Sequence, residues 1–231
     1  MPVNHPINIE ALLSHVPLFN GLAPEELARI AHATREINLT KGENLFHRGD
    51  PCTGFHLLVY GQVKLSFISA QGNEKIVEIV SQGQSFGEAL MFLEKPYVVS
   101  AQALTDALLL HISKAVIFEE LEHDPMLAHK MLASMGLRLH QLMNDVESYS
   151  LHSGKQRIIG YLLRELPESD QNGTNVILTL LNNKGDIASR LNLTQEHFSR
   201  ILHELSGLGL IVVEGKKIHI PSVANLRKHE S

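Results

Sequence analysis

The sequence predicts an α+β fold in three parts: a β-roll or barrel, one long helix and a C-terminal winged helix-turn-helix. Three observations predict it. The hydrophobic period switches near Thr34 from short helices to strand-like segments separated by Gly-bearing turns. After Ile112-Ser113 it becomes helical and stays so through about Tyr149. Residues 184–205 then place apolar, small and turn-tolerant residues where two crossed helices need them, and a hairpin follows. At 231 residues the chain exceeds the roughly 150 of an average domain, so more than one domain is expected.

Short helices come first. Residues 9–14 form one and 23–31 a second, with Pro24 at an early helical position and Glu25 and Glu26 in the first turn. The strand-like segments 55–60, 63–67 and 76–80 follow, with turns at Lys41-Gly42, Arg48-Gly49-Asp50-Pro51, Tyr60-Gly61, Gln71-Gly72-Asn73 and Gln82-Gly83. Spacing this regular predicts a roll or barrel. In the long helix, Leu132, Met135, Leu139, Leu142, Val146 and Tyr149 recur in steps of three and four and line one seam. The seam can pack on the chain's own barrel or on a second copy; a long helix joining two domains favours the second copy. Ser150-Leu151-His152-Ser153-Gly154 breaks the seam, with Gly154 as a hinge. The expected divisions are a roll with its N-terminal helices over 1–125, a dimerisation helix and hinge over 126–153, and the winged helix-turn-helix over 154–231.

In the helix-turn-helix, Asp186 can open the first helix, Ile187 and Leu191 face inward, and Ala188 is small where the second helix crosses. Asn192 falls where the turn needs a residue tolerant of positive φ, and Thr194 can cap the second helix. Phe198, Ile201, Leu202 and Leu205 supply its buried side. Gln195, Glu196, Ser199, Arg200 and His203 are left facing out, a polar set that suits base edges. Residues 211–213 and 217–220 flank Glu214-Gly215-Lys216 as a wing-like hairpin. The bland alternative is an unrelated helical hairpin beside a β-hairpin.

Charge supports the division. Residues 1–154 hold 10 Lys+Arg against 17 Asp+Glu, whereas 155–231 hold 10 against 8, so the formal −5 hides a C-terminal part of net +2. No apolar stretch approaches the roughly 20 residues of a membrane helix, and the first residues lack the pattern of a signal peptide; a cytoplasmic location without membrane contact is expected. The single Cys52 excludes an internal disulfide and an iron–sulfur cluster ligated by thiolates of one chain. No nucleotide-cradling Gly loop, metal-spaced cluster or nucleophile motif supports an enzyme.

From Val16-Pro17-Leu18-Phe19 through the barrel turns, Ser85-Phe86-Gly87-Glu88-Ala89, the long helix and the segment from Thr194 to Arg200, the chain resembles the CRP/FNR superfamily of bacterial regulators. The resemblance implies a cyclic-nucleotide-binding-like roll whose effector pocket shifts a dimer helix and thereby sets the spacing of two recognition helices. It places Gly87, Glu88, Val99 and Ser100 at the pocket. Cyclic-nucleotide binders of the family carry Arg where this chain has Val99, and a buried cyclic phosphate without a cation faces a large desolvation cost, so cyclic AMP is disfavoured. With Glu88-Ala89-Leu90-Met91-Phe92, the pattern looks closest to the Dnr/Nnr-like regulators of nitrogen-oxide respiration, which implies nitric oxide sensing through haem. Fourteen histidines admit a haem ligand without selecting one; His15 is the candidate.

The resemblance also assigns the DNA contacts. Gln195, Glu196, Ser199 and Arg200 are expected to read bases, and Lys184, Thr194, His203 and Lys216 to meet the backbone. The Glu-x-x-Ser-Arg pattern is similar to that of the Fnr branch, which implies a palindrome of TTGAT-like half-sites, read by a homodimer with RNA polymerase as a further partner. A rival reading pairs Glu196 with Arg200 across one helical turn. The alternative function is a cyclic-nucleotide-binding module that acts through protein contacts.

Overall fold

Helix α1 (Ile9–Ser14), a 3-10 turn (Pro17–Phe19) and helix α2 (Pro24–His32) open the computed structural model, which describes residues 8–14, 16–19, 22–69, 71–72, 74–171 and 173–229. Pro24 is the first residue of α2, and the Glu26 carboxylate accepts the Ala23 N–H at 2.7 Å, tying down the helix start. Next come β1 (Thr34–Leu39), β2 (Asn44–Phe46), β3 (Gly54–Tyr60), β4 (Val63–Ile68), β5 (Glu74–Val80), β6 (Ser85–Phe86), helix α3 (Glu88–Leu93), β7 (Ser100–Ala103) and β8 (Ala107–Ser113). They build two four-stranded sheets, β1-β8-β3-β6 and β2-β7-β4-β5. Phe46, Leu58, Val63, Phe86, Ala101 and Leu109 fill the roll interior. The predicted turn glycines Gly42, Gly49, Gly61, Gly72 and Gly83 all stand at positive φ.

Strand β8 lies antiparallel between β1 and β3, and residues 107–112 are all buried. A strand covered on both faces has no reason to alternate, which is why the period-2 signal missed it. Helix α4 (Lys114–His123) is followed by α5 (Pro125–Leu151), so the helical stretch is broken at Asp124, which has φ −121° and ψ 98°. Pro125 causes the break, because its ring excludes the helical conformation from the residue before it. Helix α5 runs past Ser150 to Leu151, so the seam ends two residues later than expected. At 27 residues it spans about 40 Å. Leu13, Ile30, Phe55, Ile117, Leu127 and Met131 form a second core where the flanking helices cover β3 and β8.

The remaining elements are α6 (Gly154–Arg164), a 3-10 turn (Glu168–Asp170), β9 (Thr174–Thr179), α7 (Lys184–Arg190), α8 (Gln195–Gly207), β10 (Val212–Glu214), β11 (Lys217–Ser222) and α9 (Val223–Arg227). The wing is a three-stranded sheet, β10-β11-β9, in which β9 is an addition to the predicted hairpin. Ser153 caps α6 by accepting the Gln156 N–H, while the Gln156 side chain accepts the Ser153 N–H. Gly154 is the first residue of α6, and a Cβ there would lie 3.0 Å from Ile201 Cδ1 and 3.1 Å from Leu193 Cδ2. A side chain there would crowd the ends of Ile201 and Leu193, so close packing favours the glycine. Contacts divide the chain into two units, one of Met1–Asn73 with Val77–His140, the other of Glu74–Ile76 with Gln141–Ser231. Among the described residues no helix is long and apolar enough to cross a membrane.

Candidate nucleic-acid interface and effector region

Helix α7 begins earlier than Asp186. Asn183 caps it by accepting the Asp186 N–H at 2.9 Å, and Asp186 in turn accepts from the Asn183 amide at 2.5 Å. The cap moves because Asn183 stands three residues ahead of a free amide, whereas Asp186 is already inside the first turn. Ile187, Ala188 and Leu191 are buried as expected, and Asn192 takes φ 57° in the turn. Thr194 caps α8 by accepting the His197 N–H at 3.2 Å. Phe198, Ile201, Leu202 and Leu205 are buried, which fixes the rotation of α8 and leaves Gln195, Glu196, Ser199, Arg200 and His203 exposed.

Among the described residues neither Glu196 nor Arg200 enters an ion pair, so the rival reading of a Glu196–Arg200 bridge is not what the geometry adopts. Gly185 leaves room for Gln195: a Cβ on Gly185 would stand 3.2 Å from Gln195 Oε1. Lys184 is half-buried in the first turn of α7. Lys216 is exposed at the tip of the β10–β11 hairpin, its Nζ 3.5 Å from the Leu181 carbonyl, with Gly215 beside it at φ 62°. Cations thus stand on α7, α8 and the wing, a distribution suited to a phosphate backbone.

Asp145, Arg157 and Arg190, which the sequence did not single out, hold this module in place together with Tyr149 of the seam. Arg190, the last residue of α7, donates through Nη2 to Asp145 at 2.6 Å and through Nη1 to the Tyr149 hydroxyl at 2.6 Å. Tyr149 returns its proton to the Arg190 carbonyl at 2.5 Å. Arg157 on α6 donates to the carbonyls of Leu191 at 2.7 Å and Asn192 at 3.2 Å. The Tyr149 hydroxyl is therefore engaged within its own chain. Met135 is half-buried, while Leu132, Leu139, Leu142 and Val146 are exposed. Asp145 and Tyr149 are spaced i, i+4 on a helix, which was the available signal for a polar contact on that face.

In the roll, Gly87 starts α3 at φ 100°, a conformation that strains any other residue. Glu88 is buried, and burial pushes its carboxyl above the usual carboxylate range against the opposing effect of a Ser85 hydrogen bond. Arg138 on α5 donates to the Ser85 carbonyl at 2.6 Å and pairs with Glu78. Ser100 is buried, and its Oγ accepts the Arg48 N–H at 3.1 Å; Val99 packs against the roll core. Deeper in, His56 and His111 face each other across β3 and β8 with ring centroids 4.9 Å apart. His111 Nε2 meets the Thr53 hydroxyl at 3.0 Å, whereas Nδ1 of both rings is buried without a partner among the described residues. Burial first, then His111 and Arg35, pushes His56 down to about 3. His15 lies outside the described residues.

Residues 36–124 match the family model for a cyclic nucleotide-binding domain, and residues 156–229 that for a Crp-like helix-turn-helix domain. The chain is 24% identical over 212 residues to the Cyclic AMP receptor protein of Thermus thermophilus, across 92% of this chain and 95% of that one. Among solved structures it is similar to DNR from Pseudomonas aeruginosa, at 32% identity over 95% of this chain and 96% of that chain, with a TM-score of 0.51. A CRP/FNR-family transcriptional regulator from Thermus thermophilus shares the fold, with a TM-score of 0.67 at 20% identity over 85% of this chain and 98% of that one. With a cyclic nucleotide-binding domain followed by a Crp-like helix-turn-helix domain, the chain belongs to the CRP/FNR family and is a DNA-binding transcription regulator with an effector-binding domain.

Proposed function

We propose that the chain acts in the cytoplasm as a homodimer that reads a palindrome of TTGAT-like half-sites and contacts RNA polymerase, under the control of nitric oxide sensed through haem. The observation that carries the reading is the face of α8: Gln195, Glu196, Ser199 and Arg200 are all exposed on a helix whose rotation is fixed by four buried residues. Glu196, Ser199 and Arg200 stand at i, i+3 and i+4 and share that face. Arg200 suits guanine O6 and N7, Glu196 can accept from cytosine N4, and Ser199 is small enough to approach a thymine methyl. Dimerisation is supported by α5, where Leu132, Leu139 and Val146, seven residues apart, are 67%, 61% and 64% exposed.

Two tests separate these claims. Arg200→Ala should cost roughly 1–3 kcal/mol and relax base choice at one symmetric position in a binding-site selection, while Lys184→Ala weakens all sequences alike. Unchanged base preference with Arg200→Ala removes this residue from the reading set. Charged replacements at Leu139 and Leu142 should halve the sedimenting mass and lower DNA affinity together, because unpaired charge would be buried in the interface.

For the effector, the roll domain offers an open depression of about 530 Å³ lined by Ala28, Arg29, His32, Ala33, Ser113, Ala115, Val116 and Glu119. In this reading the exposed His32 would hold a haem iron, whereas Arg29 is gripped by Glu120 at 2.5 and 2.8 Å and is not available to propionates. When bound, haem supplies an iron coordination position for a diatomic gas. The absorption spectrum of anaerobically reconstituted protein, before and after nitric oxide and with His32→Ala, tests this assignment. Cyclic AMP is not the effector in this reading, because Val99 provides no cation and the Ser100 hydroxyl already accepts the Arg48 amide. The match of residues 36–124 to a cyclic nucleotide-binding domain favours a second reading, a nucleotide-binding module acting through protein contacts. Micromolar cyclic AMP binding by calorimetry, without affinity for palindromic DNA, selects that one.

A further inference from the structure

The turn between α7 and α8 exposes backbone carbonyls, because the last residues of a helix have no partner further along it. Three successive carbonyls here, those of Arg190, Leu191 and Asn192, are taken by side chains from outside the helix-turn-helix. Tyr149, near the end of α5, bonds the first; Arg157, on α6, bonds the other two. The Arg190 guanidinium closes the arrangement by donating to both Tyr149 and Asp145, so backbone and side chain of one residue grip one turn of α5. Arg157 also lies over the Tyr149 ring, 5.9 Å from its centroid. Asp145 is buried and ion-paired, which makes the pair costly to break on one side. Thr194, the cap of α8, is two residues beyond Asn192, so whatever fixes this turn also fixes the start of the recognition helix.

We infer that Asp145, Tyr149, Arg157 and Arg190 are positioning residues for DNA reading, a joint that locks the helix-turn-helix onto the end of α5 and so lets α5 set the separation of two recognition helices. The inference rests on the dimeric reading above. A helix-turn-helix without the joint still has its own apolar core and its own reading face. What it loses is a fixed attitude to the dimer axis, and with it the preference for one half-site separation.

The test uses the full chain and three kinds of duplex: a single TTGAT-like half-site, a palindrome, and palindromes with the spacer changed by one or two base pairs. Wild type should lose about tenfold in affinity when the spacer is changed, as a rigid two-fold reader must. Arg190→Met, and the double variant Asp145→Leu with Arg190→Met that leaves no buried charge unpaired, should bind all spacers within about threefold of one another and keep half-site affinity within about threefold of wild type. Tyr149→Phe removes a single hydroxyl, keeps the packing, and should flatten the spacer preference part of the way. Wild-type spacer preference in every variant overturns the inference. So does an equal loss on half-site and palindrome accompanied by a lower melting temperature, which would mark a merely structural role. Should wild type itself fail to prefer a palindrome to a half-site, the dimeric reading falls, and the inference with it.

Discussion

The two interiors bury different things. Beneath the helix-turn-helix the core is made of aliphatic side chains and Phe198, and the one buried charge among the described residues of that unit, Asp145, is in an ion pair. The roll, by contrast, encloses His56, Glu88, Ser100 and His111 among its apolar side chains. An apolar interior is held by transfer and packing alone, and neither varies much with proton concentration. An interior with titratable groups must keep them neutral or partnered, so its stability follows the medium. The reading unit is thus built for constancy and the sensing unit for responsiveness.

The sharpest way to break that comparison is to damage the apolar core. Phe198 is fully buried at the centre of the C-terminal cluster, and Phe198→Ala should cost that unit roughly 3–5 kcal/mol. Scanning calorimetry should show one transition shifted down and a second, belonging to the roll, in place. If both transitions move together, the units unfold as one and the contrast between them has no thermodynamic meaning.

A smaller effect sharpens it from the other side. In the folded roll His56 titrates at about 3, against 6.5 when unfolded, and burial lowers His111 as well. Below pH 6.5 the unfolded chain therefore binds protons that the fold refuses. Stability should fall as the pH drops toward 3, by up to ~1.4 kcal/mol per pH unit from His56, with His111 adding in the same direction. Glu88 acts with the opposite sign, since its raised carboxyl favours the fold in the protonated form and relieves part of the loss once the pH is low. Melts between pH 7 and 5 should lower the roll transition more than the other, and His56→Phe, which keeps a ring against Phe46 and Phe86, should flatten the slope. An unchanged slope would assign the acid sensitivity to other groups.

What was legible in the sequence follows the same divide. In the C-terminal unit each local signal agrees with the next: Asn192 has the positive φ, Thr194 the cap, and Phe198 to Leu205 the buried face. Where it failed, at Asp186, the cap is supplied by Asn183 three residues earlier, a residue of the same polar kind. The roll was legible in its turns, whose glycines are conformational necessities, but not in β8, where burial on both sides erases alternation. Beyond the i, i+4 spacing of Asp145 and Tyr149, the joint with Arg157 and Arg190 was hidden for a different reason. Its partners lie 41 to 45 residues apart for the contacts of Arg190, and nothing local in a sequence records which carbonyls a distant arginine will satisfy.

The smallest effect concerns a residue that belongs to both fold and function. Thr194 was expected to meet a DNA phosphate, yet its Oγ already accepts the His197 N–H as the cap of α8. The two roles are compatible, because a hydroxyl that accepts one bond retains a proton to donate. They differ in what a substitution does. Thr194→Ser keeps both the acceptor and the proton and should be silent. Thr194→Ala should cost about 1 kcal/mol of stability in the C-terminal unit through the lost cap. If the hydroxyl also donates to phosphate, affinity for every DNA sequence should drop alike, by more than the fraction unfolded explains, with base preference intact. Because a neutral donor releases no counterion, the salt dependence of binding should keep its wild-type slope, unlike that of Lys184→Ala. Binding isotherms at two salt concentrations, beside a thermal melt, separate the roles: a stability loss without a further loss of affinity leaves Thr194 as a cap alone.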